Sequence, residues 1–157
     1  MDIQKQKEYF AGLEKELTDR GLEPVRVDGA GSPQVGDTIR FLLPMSEEGG
    51  MVMMELLILD LGEEEFLLEF YTTMFTDVED VITDLSVEIP AWNFLCPLGS
   101  FGIFEEEGHL YHKYGLPFSG DTETEKFAKD SVAVMKFLFD IIADKYAAVL
   151  EMMIEGE

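Results

Sequence analysis

The side chains best suited to chemistry in this sequence are two histidines, one cysteine and many carboxylates. His109 and His112 are the only histidines of the 157-residue chain, and Cys96 is its only cysteine. In a strand, a spacing of three directs two side chains to opposite faces, so the histidines are not expected to share a metal ion. We expect no metal site, and we expect both histidines to be partly exposed in a hairpin.

Cys96 would need a neighbouring histidine and nearby positive charge to act as a nucleophile. Its sequence neighbours are Phe94, Leu95, Pro97 and Leu98. These apolar neighbours favour an unreactive buried thiol over a catalytic one. No serine lies in a Gly-x-Ser-x-Gly pattern either. We therefore expect the protein not to be an enzyme and to bind no cofactor.

Carboxylates cluster in two short runs, Glu63 to Glu65 and Glu105 to Glu107. Both runs fall in predicted turns, where charged side chains ordinarily keep the turn solvated. The spaced ligands and fixed glycine of an EF-hand loop are missing, which argues against calcium binding. An enzyme that uses carboxylates in a cleft stays an alternative, and a deep pocket holding a carboxyl group with a strongly raised pKa would support it.

The charge balance limits the classes of partner. The chain has 33 acidic and 11 basic residues, a net charge of −22, and no lysine or arginine between Arg40 and Lys113. Such a field repels phosphates, so we expect neither nucleic acid nor a membrane as partner. The acidic segment is either a solvated surface or a docking face for a basic protein.

The expected compartment is the cytoplasm. A single cysteine allows no intramolecular disulfide, which favours a reducing compartment. The first residues show no apolar signal core, and no apolar run approaches the roughly 18 residues of a membrane span.

A long hairpin between Met51 and Met74 organises the predicted fold. Two strands meet at an acidic turn around Gly62 and Glu63. The first strand is apolar on both faces apart from Glu55, which predicts a central strand with one face on the core and the other under a helix or a second subunit. The second strand alternates, so one of its faces should meet water.

Other elements flank this hairpin. Helices are predicted from Ile3 to Arg20, from a capping box at Thr76 and Glu79, and over about 121–153. In the first helix Phe10, Leu13 and Leu17 form an apolar stripe, and Gly21 ends the helix. Strands are predicted before the central hairpin and in a second hairpin near 99–115, with the glycine-rich 29–36 segment as a loop within the domain. Since hairpins join antiparallel strands, we expect a single α+β domain over 1–157. Its antiparallel sheet of about five strands packs with N-terminal, middle and C-terminal helices as an α/β sandwich.

The last helix is apolar over a wider arc than one sheet face requires. The extra width comes from Val134, Phe137, Leu138 and Ile141. Excess apolar width on a helix favours a partner, so these four residues are the predicted protein interface. Self-association through them would make the protein a homodimer.

Two short segments carry a resemblance to a known family. The first is Trp92-Asn93-Phe94-Leu95, and the second is Gly99-Ser100-Phe101-Gly102-Ile103-Phe104, followed by a strand at Leu110 and a long terminal helix. This order resembles the second half of YbjN-type domains, which share the fold of class I type III secretion chaperones. In that group an asparagine near the end of the middle helix precedes a Gly-x-Phe strand and a hairpin.

The resemblance implies an α/β sandwich that often dimerises and binds an extended protein segment without catalysis. The size and strong acidity of the chain are also similar, whereas the 29–36 loop and the very apolar strand at Met51 have no counterpart. The resulting hypothesis is a cytoplasmic, chaperone-like or regulatory protein-binding domain. The alternative is an immunity or inhibitor-type protein that neutralises a basic toxin or nuclease through charge complementarity.

Overall fold

The computed structural model describes residues 3–29 and 36–156. In chain order the elements are α1 (Ile3–Asp19), β1 (Val25–Val27), β2 (Thr38–Pro44), β3 (Met51–Gly62), β4 (Glu65–Phe75), a 3₁₀ turn (Glu79–Val81), α2 (Ile82–Leu95), β5 (Ser100–Phe104), β6 (His109–Ser119) and α3 (Thr124–Glu155). Residues 30–35 of the predicted 29–36 loop lie outside the described residues. None of the described helices is both long and apolar enough to cross a bilayer.

The strands form one antiparallel sheet in the order β1-β2-β3-β4-β6-β5. The predicted α+β class is confirmed, with six strands where about five were expected. The shortest strand is Val25–Val27, which lies within the segment Leu22 to Val27 that the sequence predicts to be extended, and it pairs with β2 through Val25 and Arg40.

The β3–β4 hairpin lies at the centre of the sheet, and it turns where predicted. Gly62 has a φ of 88°, and the two residues between the strands, Glu63 and Glu64, have φ of 54° and 64°. Two consecutive positive φ values are characteristic of a type I′ turn, whose twist matches that of the flanking strands. Such a turn favours Asn-Gly at its two central positions, which are occupied by glutamates here. The Asp60 carboxylate accepts a hydrogen bond from the Gly62 N–H at 2.8 Å and supports the turn.

One face of the sheet forms the core, and all three helices pack on it. Alternate residues of β3 and β4 point there, including Met54, Leu56, Leu68 and Phe70, which are all essentially inaccessible to solvent. Aromatic pairs join each helix to this face: Tyr9–Phe118 for α1, Trp92–Phe101 for α2 and Tyr146–Phe75 for α3. The other face carries no helix of the described chain.

The first helix ends as its sequence predicts, through glycine. Gly21 has a φ of 83°, its N–H bonds the Thr18 carbonyl, and the Leu22 N–H bonds the Leu17 carbonyl. This is a Schellman motif, in which the left-handed residue after the helix is usually glycine. Phe10, Leu13 and Leu17 form the buried stripe, as predicted.

The predicted start of the middle helix was wrong. Thr76 makes no capping box: α2 begins at Ile82, after the 3₁₀ turn, and no side chain caps either element. The chain is held instead by the Val78 N–H, which donates to the Gly108 carbonyl at 3.0 Å. A tertiary bond to the β5–β6 turn therefore replaces the local cap. Pro90 lies inside α2, which continues to Leu95.

Replacing Glu63-Glu64 by Asn-Gly should stabilise the protein by about 1–2 kcal/mol, because these residues relieve the left-handed strain of non-glycine residues. Urea unfolding measures the change. The control is Glu105→Asn with Glu106→Gly in the β5–β6 turn, which removes the same two charges where neither φ is positive. Equal stabilisation by both double variants would show that charge removal, not backbone strain, is responsible.

Candidate protein-binding surface

Asn93 fixes the end of α2 against the start of β5. Its side-chain amide donates to the Phe101 carbonyl at 3.0 Å, and its carbonyl oxygen accepts from the Phe101 N–H at 2.7 Å. The side chain thereby pairs with both backbone groups of one residue, as a neighbouring strand would. This gives a physical reason for the asparagine ahead of the Gly-x-Phe strand.

The last turn of α2 exposes two large apolar side chains. Phe94 is 88% and Leu95 is 79% exposed, directly beside the buried face of Trp92. Between this turn and α3 lies a cavity of about 220 Å³. Its lining is mostly apolar and consists of Ala91, Trp92, Leu95, Cys96, Pro97, Phe101 and Ile141, with Asp144 and Lys145 as charged members. An adjoining exposed apolar patch is typical of an interaction site.

The four predicted interface residues of α3 separate into two groups. Phe137 is 65% exposed, while Val134 and Ile141 are half-buried against the core, and Ile141 lines the cavity. Leu138 is fully buried. Because its position on the helix points into the core, Leu138 supports the surface from behind and offers a partner no contact in this conformation. Phe94 and Leu95 were not predicted, although their adjacency just before Pro97 was visible in the sequence.

Cys96 and His112 come together behind the cavity. The thiol donates to the Leu98 carbonyl at 3.1 Å, and the His112 Nε2 lies 2.9 Å from the same oxygen and 3.9 Å from the sulfur. His112 is fully buried, so the expectation of a partly exposed residue was wrong. His112 lies an even number of positions from Leu110 and Phe118 on β6, so its side chain points to the same face as theirs, toward the helices.

The Cys96–His112 geometry does not activate the thiol. Contact with the Leu98 carbonyl assigns the imidazole proton to Nε2, the nitrogen nearest the sulfur, so that nitrogen has no lone pair to accept the thiol proton. Burial lowers the pKa of His112, against the opposing effect of the Leu98 hydrogen bond. The imidazolium that would stabilise a thiolate is therefore disfavoured.

A second feature is a concentration of carboxylates at one end of the sheet, here called the acidic end. Three turns meet there: 45–50 between β2 and β3, 76–81 between β4 and α2, and 105–108 between β5 and β6. The register places them together, since Pro44 pairs with Met51, Phe75 with Leu110 and Phe104 with His109. The carboxylates are Glu47, Glu48, Asp77, Glu79, Asp80, Glu105, Glu106 and Glu107. These turns contain no lysine or arginine.

Within the described residues, no three histidine, cysteine or acidic side chains are grouped so as to hold a metal ion. The larger cavities have a more polar lining. One of about 480 Å³ at the opposite end of the sheet is lined by Lys5, Asp60, Glu63 and Glu64 among others. The smaller α2–α3 cavity suits an apolar side chain better because of its lining.

No protein-family model and no curated protein matches the sequence. A search of solved structures does find similar folds. One is the crystal structure of YbjN from E. coli, named there as a proposed transcription regulator, with a TM-score of 0.51 and 15% sequence identity over 88% of this chain and 92% of that one. The chain has a YbjN-type fold. At this level of identity the similarity to YbjN establishes the fold alone, and it confirms the resemblance found in the Asn93 and Gly99–Phe104 segments.

Asn93→Ala should destabilise the protein by about 1–3 kcal/mol, because the Phe101 N–H, in a buried residue, loses its acceptor. Amide hydrogen exchange should accelerate at Phe101 more than in β3 or β4. Glu88→Ala, at an exposed position of the same helix, is the control and should stay within about 0.5 kcal/mol. Unchanged exchange at Phe101 would contradict the clamp.

The buried His112 should make the protein less stable in mild acid. Its folded-state pKa is lowered, so below the ordinary value of about 6.5 the unfolded chain binds a proton that the folded chain does not. Relative to His112→Gln, the free energy of unfolding should fall by up to about 1.4 kcal/mol per pH unit below pH 6.5. Comparison with the variant cancels the common contribution of the carboxylates.

Urea unfolding between pH 7.5 and 5 measures this difference. His109→Gln, at the partly exposed histidine of the same strand, is the control for replacing an imidazole by an amide. Parallel curves for wild type and His112→Gln would contradict the assignment.

Proposed function

We propose that this protein is a non-catalytic protein-binding domain, chaperone-like or regulatory, that acts in the cytoplasm. The observation that carries the proposal is the exposed Phe94-Leu95 pair beside the α2–α3 cavity. Clustered large apolar side chains at full exposure oppose solubility unless a partner covers them. Phe137 extends the same apolar surface along α3.

The cavity indicates the chemistry of the segment that would bind. A volume of about 220 Å³ is small for a drug-sized ligand, but it accommodates one bulky apolar side chain. Asp144 on the rim is paired with Lys145 at 3.3 Å, so the charges beside the cavity balance. We infer an extended segment that carries a large apolar residue.

A regulatory role of this kind is compatible with the role proposed for YbjN. With a net charge of −22, direct contact with DNA phosphates is strongly unfavourable. Regulation by this chain would therefore act through a protein partner.

The acidic end favours a second candidate, an immunity or inhibitor-type protein that neutralises a basic toxin or nuclease. Three turns that together carry eight carboxylates and no lysine or arginine form a field that steers a basic protein toward them. This contact would depend strongly on salt, whereas an apolar contact at Phe94 and Leu95 would not.

Affinity capture from the protein's own cell lysate, at low and high salt, separates the two candidates. Leu95→Glu should abolish capture of a salt-resistant partner, since it places a charge at the cavity. Glu105→Lys with Glu106→Lys should leave that partner bound. Val25→Glu, at another exposed apolar position, on β1, is the control for added charge.

The opposite pattern would favour the inhibitor-type function. A partner lost in high salt and lost with the two lysine substitutions, yet kept by Leu95→Glu, binds the acidic end. A partner unaffected by either set of substitutions would contradict both proposals.

A further inference from the structure

The face of the sheet opposite the helices, here called the open face, is the largest surface without a described function. It consists of the outward residues of β2, β3, β4 and β6. All three helices pack on the other face, through Phe118, Phe101 and Phe75. Within residues 3–29 and 36–156, no helix crosses the open face.

The composition of the open face is not that of a sheet surface in water. Solvated faces of antiparallel sheets ordinarily carry polar side chains. The outward positions of β3 are Met51, Met53, Glu55, Leu57, Leu59 and Leu61, and only Glu55 is polar. Across the neighbouring strands, Leu42 pairs with Met53 and Leu67 with Leu59, so the apolar surface continues sideways.

The charges of the open face cancel. Apart from Glu65 at the β3–β4 turn, it carries two basic and two acidic residues, and each basic residue is paired with an acidic one. Arg40 lies 3.0 Å from Glu55, and Lys113 lies 2.9 Å from Glu69, whose side chain is only 10% exposed. The open face is therefore close to neutral on a molecule of net charge −22.

These groups form an ordered row. Arg40, Glu55, Tyr71 and Lys113 are successive cross-strand partners, so they lie on one line across the sheet. The row on one side is Leu42, Met53, Thr73 and Tyr111, and the row on the other is Thr38, Leu57, Glu69 and Gly115. Tyr71 stacks on Tyr111 at 5.2 Å between ring centroids. Burial, with Tyr111 and Glu55 nearby, raises the pKa of Tyr71 to about 12. The middle of the open face is thus partly shielded from water already in one copy.

We propose that the open face binds a second copy of this chain, sheet against sheet, in a two-fold symmetric dimer. Two sheets packed face to face lie about 10 Å apart and are joined by the apolar side chains between them. The four strands have 7, 12, 11 and 11 residues and present on the order of 650 Å². Stable interfaces bury about 600–1,000 Å² from each partner, so this area lies in the lower part of that range.

Charge identifies the second copy as the occupant. Two molecules of net charge −22 repel each other, and a face whose charges are paired opposes their contact less than an acidic face does. A basic partner gains little there, because these carboxylates are already paired. A two-fold axis brings the same face of both copies together, as a self-complementary interface requires.

This places self-association on the opposite side of the molecule from Phe137 and Ile141, where it was expected from the sequence. It is independent of the proposed partner site, because the two surfaces share no residue. The proposal also predicts the direction in which salt changes the affinity of the dimer. Salt screens the repulsion between the two acidic molecules, so the dimer should tighten from 0.01 to 0.15 M salt.

Sedimentation velocity and light scattering from 1 to 100 µM test the proposal. The wild type should dimerise, and Leu57→Glu should raise the dimer Kd by about 100-fold or more, since each substitution occurs twice in the interface. Leu42→Glu, at a more exposed position of the open face, provides a second variant if Leu57→Glu does not fold. Phe137→Glu on α3 is the matched control and should leave the dimer intact.

The outcomes are distinct. A wild type that is monomeric at 100 µM in 0.15 M salt overturns the proposal. So does a dimer that survives Leu57→Glu and Leu42→Glu but dissociates with Phe137→Glu, because self-association then uses the helices. A dimer that weakens as salt rises overturns the role of the neutral face. Loss of partner capture with an intact open-face dimer would affect the proposed function alone.

Discussion

The register between β3 and β4 is the constraint on which the rest of the structure depends. Leu57 lies opposite Glu69 and Leu56 opposite Phe70, so every residue of the hairpin is assigned to the helix side or the open side. A slip of one residue would turn Glu55 and Glu69 into the core and move Leu56 and Phe70 out of it. The burial cost of those carboxylates makes the alternative pairing far less stable.

Sequence patterns predicted those parts of the fold in which local periodicity and tertiary packing agree. The alternation in β4 and the buried stripe of α1 are examples, and so is the glycine that ends α1. Prediction failed where long-range contacts determine where an element begins. The α2 start depends on a bond from Val78 to Gly108, thirty residues away in sequence, and no local pattern encodes it.

The same difference between local pattern and long-range contact applies to the candidate surfaces. The width of the apolar arc on α3 was visible in the sequence, but the arc alone does not tell which flank meets the core. Leu138 and Phe137 are adjacent, and a helix rotates them by about 100°, so one is buried and the other exposed. The neutrality of the open face could not be predicted from the sequence. Arg40 and Lys113 are 73 positions apart, and they lie in one cross-strand row only because of the strand order.

The net charge and the open face are best understood together. With a net charge of −22, two copies of the molecule repel each other in most orientations. A neutral apolar surface therefore favours the orientation in which the acidic surfaces of the two copies stay apart. In the proposed dimer, pairing Glu69 with Lys113 would do more than satisfy a shielded carboxylate, since it would remove a charge that opposes the contact of two sheets. A dimer joined by its sheets would leave the Phe94-Leu95 surface of each copy facing outward. Two equivalent partner sites on opposite sides of one particle would then bind a segment with two copies of the motif more tightly than either site alone.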